Sequence, residues 1–147
     1  MYVRELTVSY RLRRIQRPAW SKSTLTTPHT LAAVLFSILG EEPIEVCGLL
    51  CLSTKLDILA YHELSRGSLD CSIIHPRDVF RTALLGHAAS VVVGHNHPSG
   101  DPSPSPEDLG VTVRLKQAGE IIGLTLADHI IVGHRGRYYS FKEAGTL

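Results

Sequence analysis

No apolar run in this chain approaches the roughly 20 residues needed to cross a bilayer; the longest, Leu31 to Leu39 and Ile44 to Leu52, fall far short. A soluble protein is expected. Charge of one sign is also missing: 15 basic residues face 14 acidic ones, for a net charge of +1. The overall balance therefore demands neither a nucleic acid nor an anionic membrane as partner. The three cysteines include no Cys-x-x-Cys pair, which excludes a disulfide framework and a thiolate zinc knuckle. Cys47, Cys51 and Cys71 read as small buried hydrophobes. The N-terminus shows no charged, apolar and small-residue succession of the secretory kind, so the expected compartment is the cytoplasm, with reduced thiols. A His-Glu-x-x-His helix is absent, and so are the His-x-Glu and Pro-Cys-x-x-Cys ligands of a nucleobase deaminase. There is no internal repeat and no low-complexity tract.

What is present fits one ordinary domain, since 147 residues with 44% hydrophobic content suffice for a core. Residues 1–24 form an N-terminal extension in which Val3 to Leu12 is compatible with an edge strand. Arg11, Arg13, Arg14 and Arg17 cluster there, either guarding that edge or reaching for phosphates. From residue 25 the pattern is mixed α/β. Leu31, Val34, Leu35, Ile38 and Leu39 recur at helical spacing between Pro28 and Gly40. Ile44 to Leu52 and Asp57 to Glu63, on either side of Ser53-Thr54-Lys55, predict a central hairpin. Pro76 opens a second helix with Val79, Phe80, Ala83 and Leu84 on one side. Ser90 to Gly94, with three valines in a row, has the composition of a strand covered on both faces. A stiff loop with four prolines spans Pro98 to Pro106, and a third helix follows from Ser105 to about Ile122. Leu124 to Val132 is strand-like, and Arg137 to Phe141 predicts a short final strand after the Gly133 to Gly136 turn.

The chemistry concentrates where the valine strand ends. His95 and His97 stand two residues apart, so in extended backbone they share a face. Asp108 follows at the start of the third helix, within reach of a loop braced by proline and by Gly100. Two imidazoles and a carboxylate suit zinc with a fourth, open position for water, the pattern of catalytic sites. The same donor set accommodates non-haem iron in principle. Zinc lowers the pKa of bound water to about 7, and hydrolysis then needs a base to carry the proton. Glu45, at the entrance of an apolar strand, is the candidate, with Glu41, Glu42 and Glu63 as rivals. Ser105-Pro106-Glu107-Asp108 also reads as a helix start, with Ser105 as N-cap and Asp108 as its capping-box partner.

Glu45-Val-Cys-Gly-Leu, then His95-x-His97-Pro98, then Ser105-x-x-Asp108 resembles the JAMM metalloprotease motif of MPN domains. More closely, Arg66-Gly67-Ser68-Leu69-Asp70, Ile74-His75-Pro76-Arg77, His95-Asn-His-Pro-Ser-Gly-Asp-Pro and Asp128-His129-Ile130-Ile131-Val132-Gly133 resemble the bacterial RadC family, over roughly Leu25 to Ala144. The resemblance implies a deaminase-related JAMM/MPN sheet flanked by helices, with zinc on His95, His97 and Asp108. It also implies Glu45 as general acid/base, and Ser105 as hydrogen-bond donor to the oxyanion formed during attack. Asn96 stands where typical JAMM proteases carry Ser or Thr, as RadC-like chains have it. Full-length RadC proteins resemble a fusion with an N-terminal helix-hairpin-helix region, which is not expected within these 147 residues.

The expected activity is hydrolysis of a peptide or isopeptide bond in a peptide or protein substrate. Its rival is a non-catalytic MPN-like binding module, associated with DNA repair or replication through the basic N-terminal cluster. Asp128 and His129 are candidates to orient a zinc ligand from behind. His75 either caps and packs the second helix or contacts substrate.

Overall fold

Among the described residues, a hydrogen-bonding side chain followed by proline starts every helix. Thr27, His75 and Ser105 each accept a backbone N–H of the first turn, and Pro28, Pro76 and Pro106 occupy the first helical position, where no N–H is needed. The computed structural model describes residues 3, 6–11, 27–67 and 74–147. Their order is α1 (Pro28–Leu39), β1 (Val46–Leu52), β2 (Ile58–Arg66), α2 (Pro76–Leu85), β3 (Ser90–Asn96), α3 (Pro106–Ile122), β4 (Thr125–Val132) and β5 (Tyr138–Ser140).

The five strands form one mixed sheet in the order β2-β1-β3-β4-β5, antiparallel throughout except for β3 beside β4. Every residue of β1 and β3 is buried, as strands covered on both faces must be. Side chains alternate between two cores. Cys47, Leu49, Cys51, Val91 and Val93 pack with Val79, Phe80 and Ala83 of α2 and Val111 and Leu115 of α3. Val46, Leu50, Leu52, Val92, Ile130 and Val132 pack with Leu31, Leu35 and Leu39 of α1. The result is a single α/β domain with three helices flanking the sheet, as the JAMM/MPN resemblance implied. Gly94 permits the close approach of α1, because a Cβ there would sit 2.7 Å from Leu35 Cδ2.

The second strand of the hairpin and β3 run further than expected, whereas β1 starts at Val46 rather than Ile44. β2 continues to Arg66 because Val46 and Cys47 pair with Arg66 and Ser65. β3 continues through His95 to Asn96, flanked by Cys47 of β1 and Ile131 and Val132 of β4. Of the expected N-terminal strand, residues 6–11 are described and lie in no strand. Leu6 and Tyr10 are well exposed, and the Tyr10 hydroxyl donates to the Leu85 carbonyl at 3.4 Å, against α2 rather than a sheet edge. Arg11 is described, whereas Arg13, Arg14 and Arg17 lie outside the described residues, as do Cys71 and Ser68-Leu69-Asp70. Among the described residues no helix is long and apolar enough to cross a membrane.

Candidate metal centre

Strand alternation sends His95 to the α2/α3 face along with Val91 and Val93, onto the side where α3 begins. His97 lies just past the strand, but its N–H still donates to the Val132 carbonyl at 2.9 Å, which keeps it in line with β4. The chain then turns at Gly100, whose φ of 82° lies in the left-handed region that glycine adopts without strain. Its carbonyl accepts from the His134 N–H at 3.0 Å and the Arg137 guanidinium at 2.7 Å. The proline loop is thereby pinned to the β4–β5 turn and delivers Asp108 on the first turn of α3.

There the side chains converge. His95 Nε2 lies 3.0 Å from His97 Nε2 and 3.2 Å from Asp108 Oδ1, and His97 Nε2 lies 3.6 Å from Asp108 Oδ2. Donors bound at about 2.0–2.1 Å to a tetrahedral zinc stand about 3.3 Å apart, so these spacings fit one ion. His95 and Asp108 are sealed from solvent while the His97 side chain is 18% exposed, so the cluster opens on the His97 side.

The hydrogen bonds behind the imidazoles set which nitrogen carries the proton. His97 Nδ1 faces the Asp101 carbonyl at 2.8 Å and can only donate to it, leaving the Nε2 lone pair in the cluster. The Thr112 hydroxyl donates to the Asp108 carbonyl at 2.6 Å, so it accepts from His129 Nδ1, also at 2.6 Å. His129 Nε2 is then an acceptor, and His95 Nδ1 donates to it at 3.1 Å. Consequently His95 also turns an Nε2 lone pair inward. Two imidazole lone pairs and a carboxylate held this close repel one another unless a cation lies between them, and a proton or a metal ion supplies that charge.

The ligating atoms of His95, Asp108 and His129 lie within 4.8 Å of one another, all buried, and this group too could hold a metal ion. It shares His95 and Asp108 with the cluster above but approaches His95 from its Nδ1 side. Burial, and then repulsion from the adjacent His95 ring whenever that ring is protonated, push the His129 pKa down to about 3, so its ring is neutral. Phe141 stacks flat on that ring, with centroids 4.7 Å apart and planes 7° apart. Asp128 points to the opposite face. Its carboxylate accepts from the Ser140 hydroxyl at 2.6 Å and from the backbone N–H groups of His129 at 2.8 Å and Lys142 at 3.1 Å. It touches no candidate ligand side chain directly; it anchors the turn that lays Phe141 on His129.

Ser105 is occupied by the helix start. Its hydroxyl donates to Asp108 Oδ2 at 2.7 Å and accepts the Asp108 N–H at 3.1 Å, while its own N–H donates to Oδ2 at 2.8 Å. Burial works to raise the Asp108 carboxyl, but His95 and His97, each able to donate to it through Nε2 when protonated, outweigh burial and hold the group well below the usual carboxylate range. The hydrogen bond to Asp108 outweighs burial at His97 as well and raises its proton affinity, to which the Asp101 carbonyl and the charges of Asp108 and Glu45 add.

Glu45 is half-buried immediately before β1, and its charge acts on both His97 and Cys47. Two rivals are engaged elsewhere, because Arg66 grips Glu42 with contacts of 2.7 and 3.1 Å and Glu63 with contacts of 2.9 and 2.8 Å. Glu41 is exposed. Cys47, which pairs with His95 across the sheet, stays a thiol: burial first, then Glu45 and Asp108, push it well above the ordinary thiol range. His75 caps α2, its Nδ1 accepting the Arg77 N–H at 3.1 Å. Thr112 and Phe141 were not singled out from sequence. Thr112, one turn after Asp108 and buried in mid-helix, was the detectable one, since a buried hydroxyl there must find partners.

A RadC-like JAB domain is matched over residues 25–146. A UPF0758 protein of Thermotoga maritima is 56% identical over 103 residues, covering 70% of this chain and 46% of its own length. One from Clostridium beijerinckii is 42% identical over 123 residues, covering 84% and 53%. Another from Shouchella clausii is 47% identical over 134 residues, covering 90% and 58%. The chain spans about half the length of these curated relatives. On the strength of a match across most of its residues, the chain belongs to the RadC-like JAB domain family.

Proposed function

We propose that this domain is a zinc-dependent hydrolase that cleaves a peptide or isopeptide bond, with the ion on His95, His97 and Asp108. The observation that carries the reading is the inward pair of Nε2 lone pairs, 3.0 Å apart, with both Nδ1 atoms engaged elsewhere and a carboxylate beside them. Zinc bound there would polarise a carbonyl and make a water molecule acidic near neutral pH. Glu45, half-buried and electrostatically coupled to His97, takes that proton and returns it to the departing amine nitrogen. His129 holds His95 from behind, and Thr112 ties His129 to the helix that carries Asp108. Ser105 orients the Asp108 carboxylate, and it serves the oxyanion only by turning its hydroxyl away from Oδ2.

The test compares purified protein with Glu45→Gln and His97→Ala on a peptide library, with and without a chelator, alongside metal analysis. Glu45→Gln should keep one zinc per chain and lose turnover. His97→Ala should lose the zinc. Undiminished turnover in Glu45→Gln, or cleavage that survives chelation, would overturn the proposal.

A further inference from the structure

Asn96 stands between the two histidines, yet alternation turns its side chain to the other face of β3, where it is 3% exposed. Its carboxamide oxygen and both of its amide hydrogens are engaged. Oδ1 accepts the Val46 N–H at 2.8 Å, and Nδ2 donates to the Ile44 carbonyl at 3.0 Å and to the Glu42 carbonyl at 3.1 Å. These three partners bracket Glu45. The segment needs such a clamp because it precedes the ladder: β1 begins only at Val46. Elsewhere in it, the Glu42 N–H donates to the Leu39 carbonyl and the Glu45 carbonyl accepts from Gly67.

We propose that Asn96 is a positioning residue, whose carboxamide fixes the Glu42–Val46 segment so that Glu45 is held over the centre formed by its two neighbouring histidines. This rests on the reading of Glu45 as proton carrier. The side-chain chemistry is specific, since the clamp needs one acceptor and two donors in a single plane. Aspartate keeps the size but sets a carboxylate against two carbonyl oxygens, and serine offers one donor on a shorter arm. The segment that carries the base is thus tied to the strand that carries the ligands.

The experiment uses the full 147-residue chain as wild type, Glu45→Gln, Asn96→Ser, Asn96→Asp and the Glu45→Gln/Asn96→Ser double variant. Hydrogen exchange at the Val46 amide should quicken roughly tenfold in the Asn96 variants, the loss of one hydrogen bond, and stay unchanged in Glu45→Gln. The visible absorption of the cobalt-loaded protein is then followed against pH. Removing the Glu45 charge should lower the midpoint by about one unit. Asn96→Ser should shift it in the same direction, and the double variant no further than Glu45→Gln alone. Cobalt should remain at one per chain in all of them.

A wild-type midpoint in Asn96→Ser, beside a shifted Glu45→Gln, would overturn the positioning role while leaving the proposed function intact. Unchanged Val46 exchange in Asn96→Ser would overturn the clamp itself. A midpoint unmoved by Glu45→Gln would instead remove Glu45 as the base.

Discussion

Two triads share His95 and Asp108, and a pair of substitutions decides which one takes the ion. If His97 is the third ligand, His97→Ala removes a metal bond. Structural zinc sites bind with about 10–16 kcal/mol over four ligands, so one ligand accounts for about 3–4 kcal/mol, or roughly a hundredfold to thousandfold in affinity. His129 then contributes only through its hydrogen bond to His95 Nδ1 and its tether to Thr112. Leucine at 129 deletes both and should cost about 10–100-fold, the range for groups that orient a ligand. Glutamine at 129 is the sharper probe. Its side-chain oxygen can still accept the His95 Nδ1–H, so His129→Gln should retain most of the affinity, whereas an amide is a poor substitute for a ligating imidazole. The assay is competition against a chromophoric chelator at fixed pH. The expected order of affinity is wild type, His129→Gln, His129→Leu and His97→Ala, from tightest to weakest. Loss of the metal in His129→Gln with near-normal binding in His97→Ala would place the ion on the other triad and refute the tautomer argument.

The His129 pKa, depressed to about 3 by burial, predicts an acid limb in the stability of metal-free protein. The neutral ring favours the fold above its unfolded value of about 6.5, and that stability declines as pH falls toward 3, by up to about 1.4 kcal/mol per unit; urea midpoints against pH should show this limb, flattened in His129→Leu. Ser105→Ala removes an N-cap and a hydrogen bond to Asp108 Oδ2, so stability should fall by about 1 kcal/mol and zinc affinity should weaken too, while Ser105→Thr keeps both; unchanged affinity in Ser105→Ala would separate the cap from the metal. Gly94→Ala forces a methyl group into the sealed Leu35 side chain and should cost about 1–3 kcal/mol, read as a lower urea midpoint at constant slope.

The parts of this molecule legible in its sequence share one property: they are encoded over short distances. α1, α2 and α3 begin where a capping side chain precedes proline, and the valines of β3 declare a strand covered on both faces, so those elements lie where local pattern puts them. The convergence of His95, His97 and Asp108 was legible for the same reason, since a strand end, a proline loop and a helix start follow one another without interruption. What escaped was encoded across the sheet. The hairpin reaches Arg66 because β1 pairs that far back, and residues 6–11, although apolar in alternation, find no sheet edge to join. Glu45 stands out in the linear chain by its place before an apolar strand and by the motif, but its rivals Glu42 and Glu63 are set aside only by Arg66, which binds both of them from β2. Nor could the proton arrangement around His95 be written down before β4 was known to lie parallel beside β3, with Val93 opposite His129. A motif can name ligands, but the tautomer that turns a lone pair toward an ion is set by partners 17 and 34 residues apart in the chain, and only the sheet brings them together.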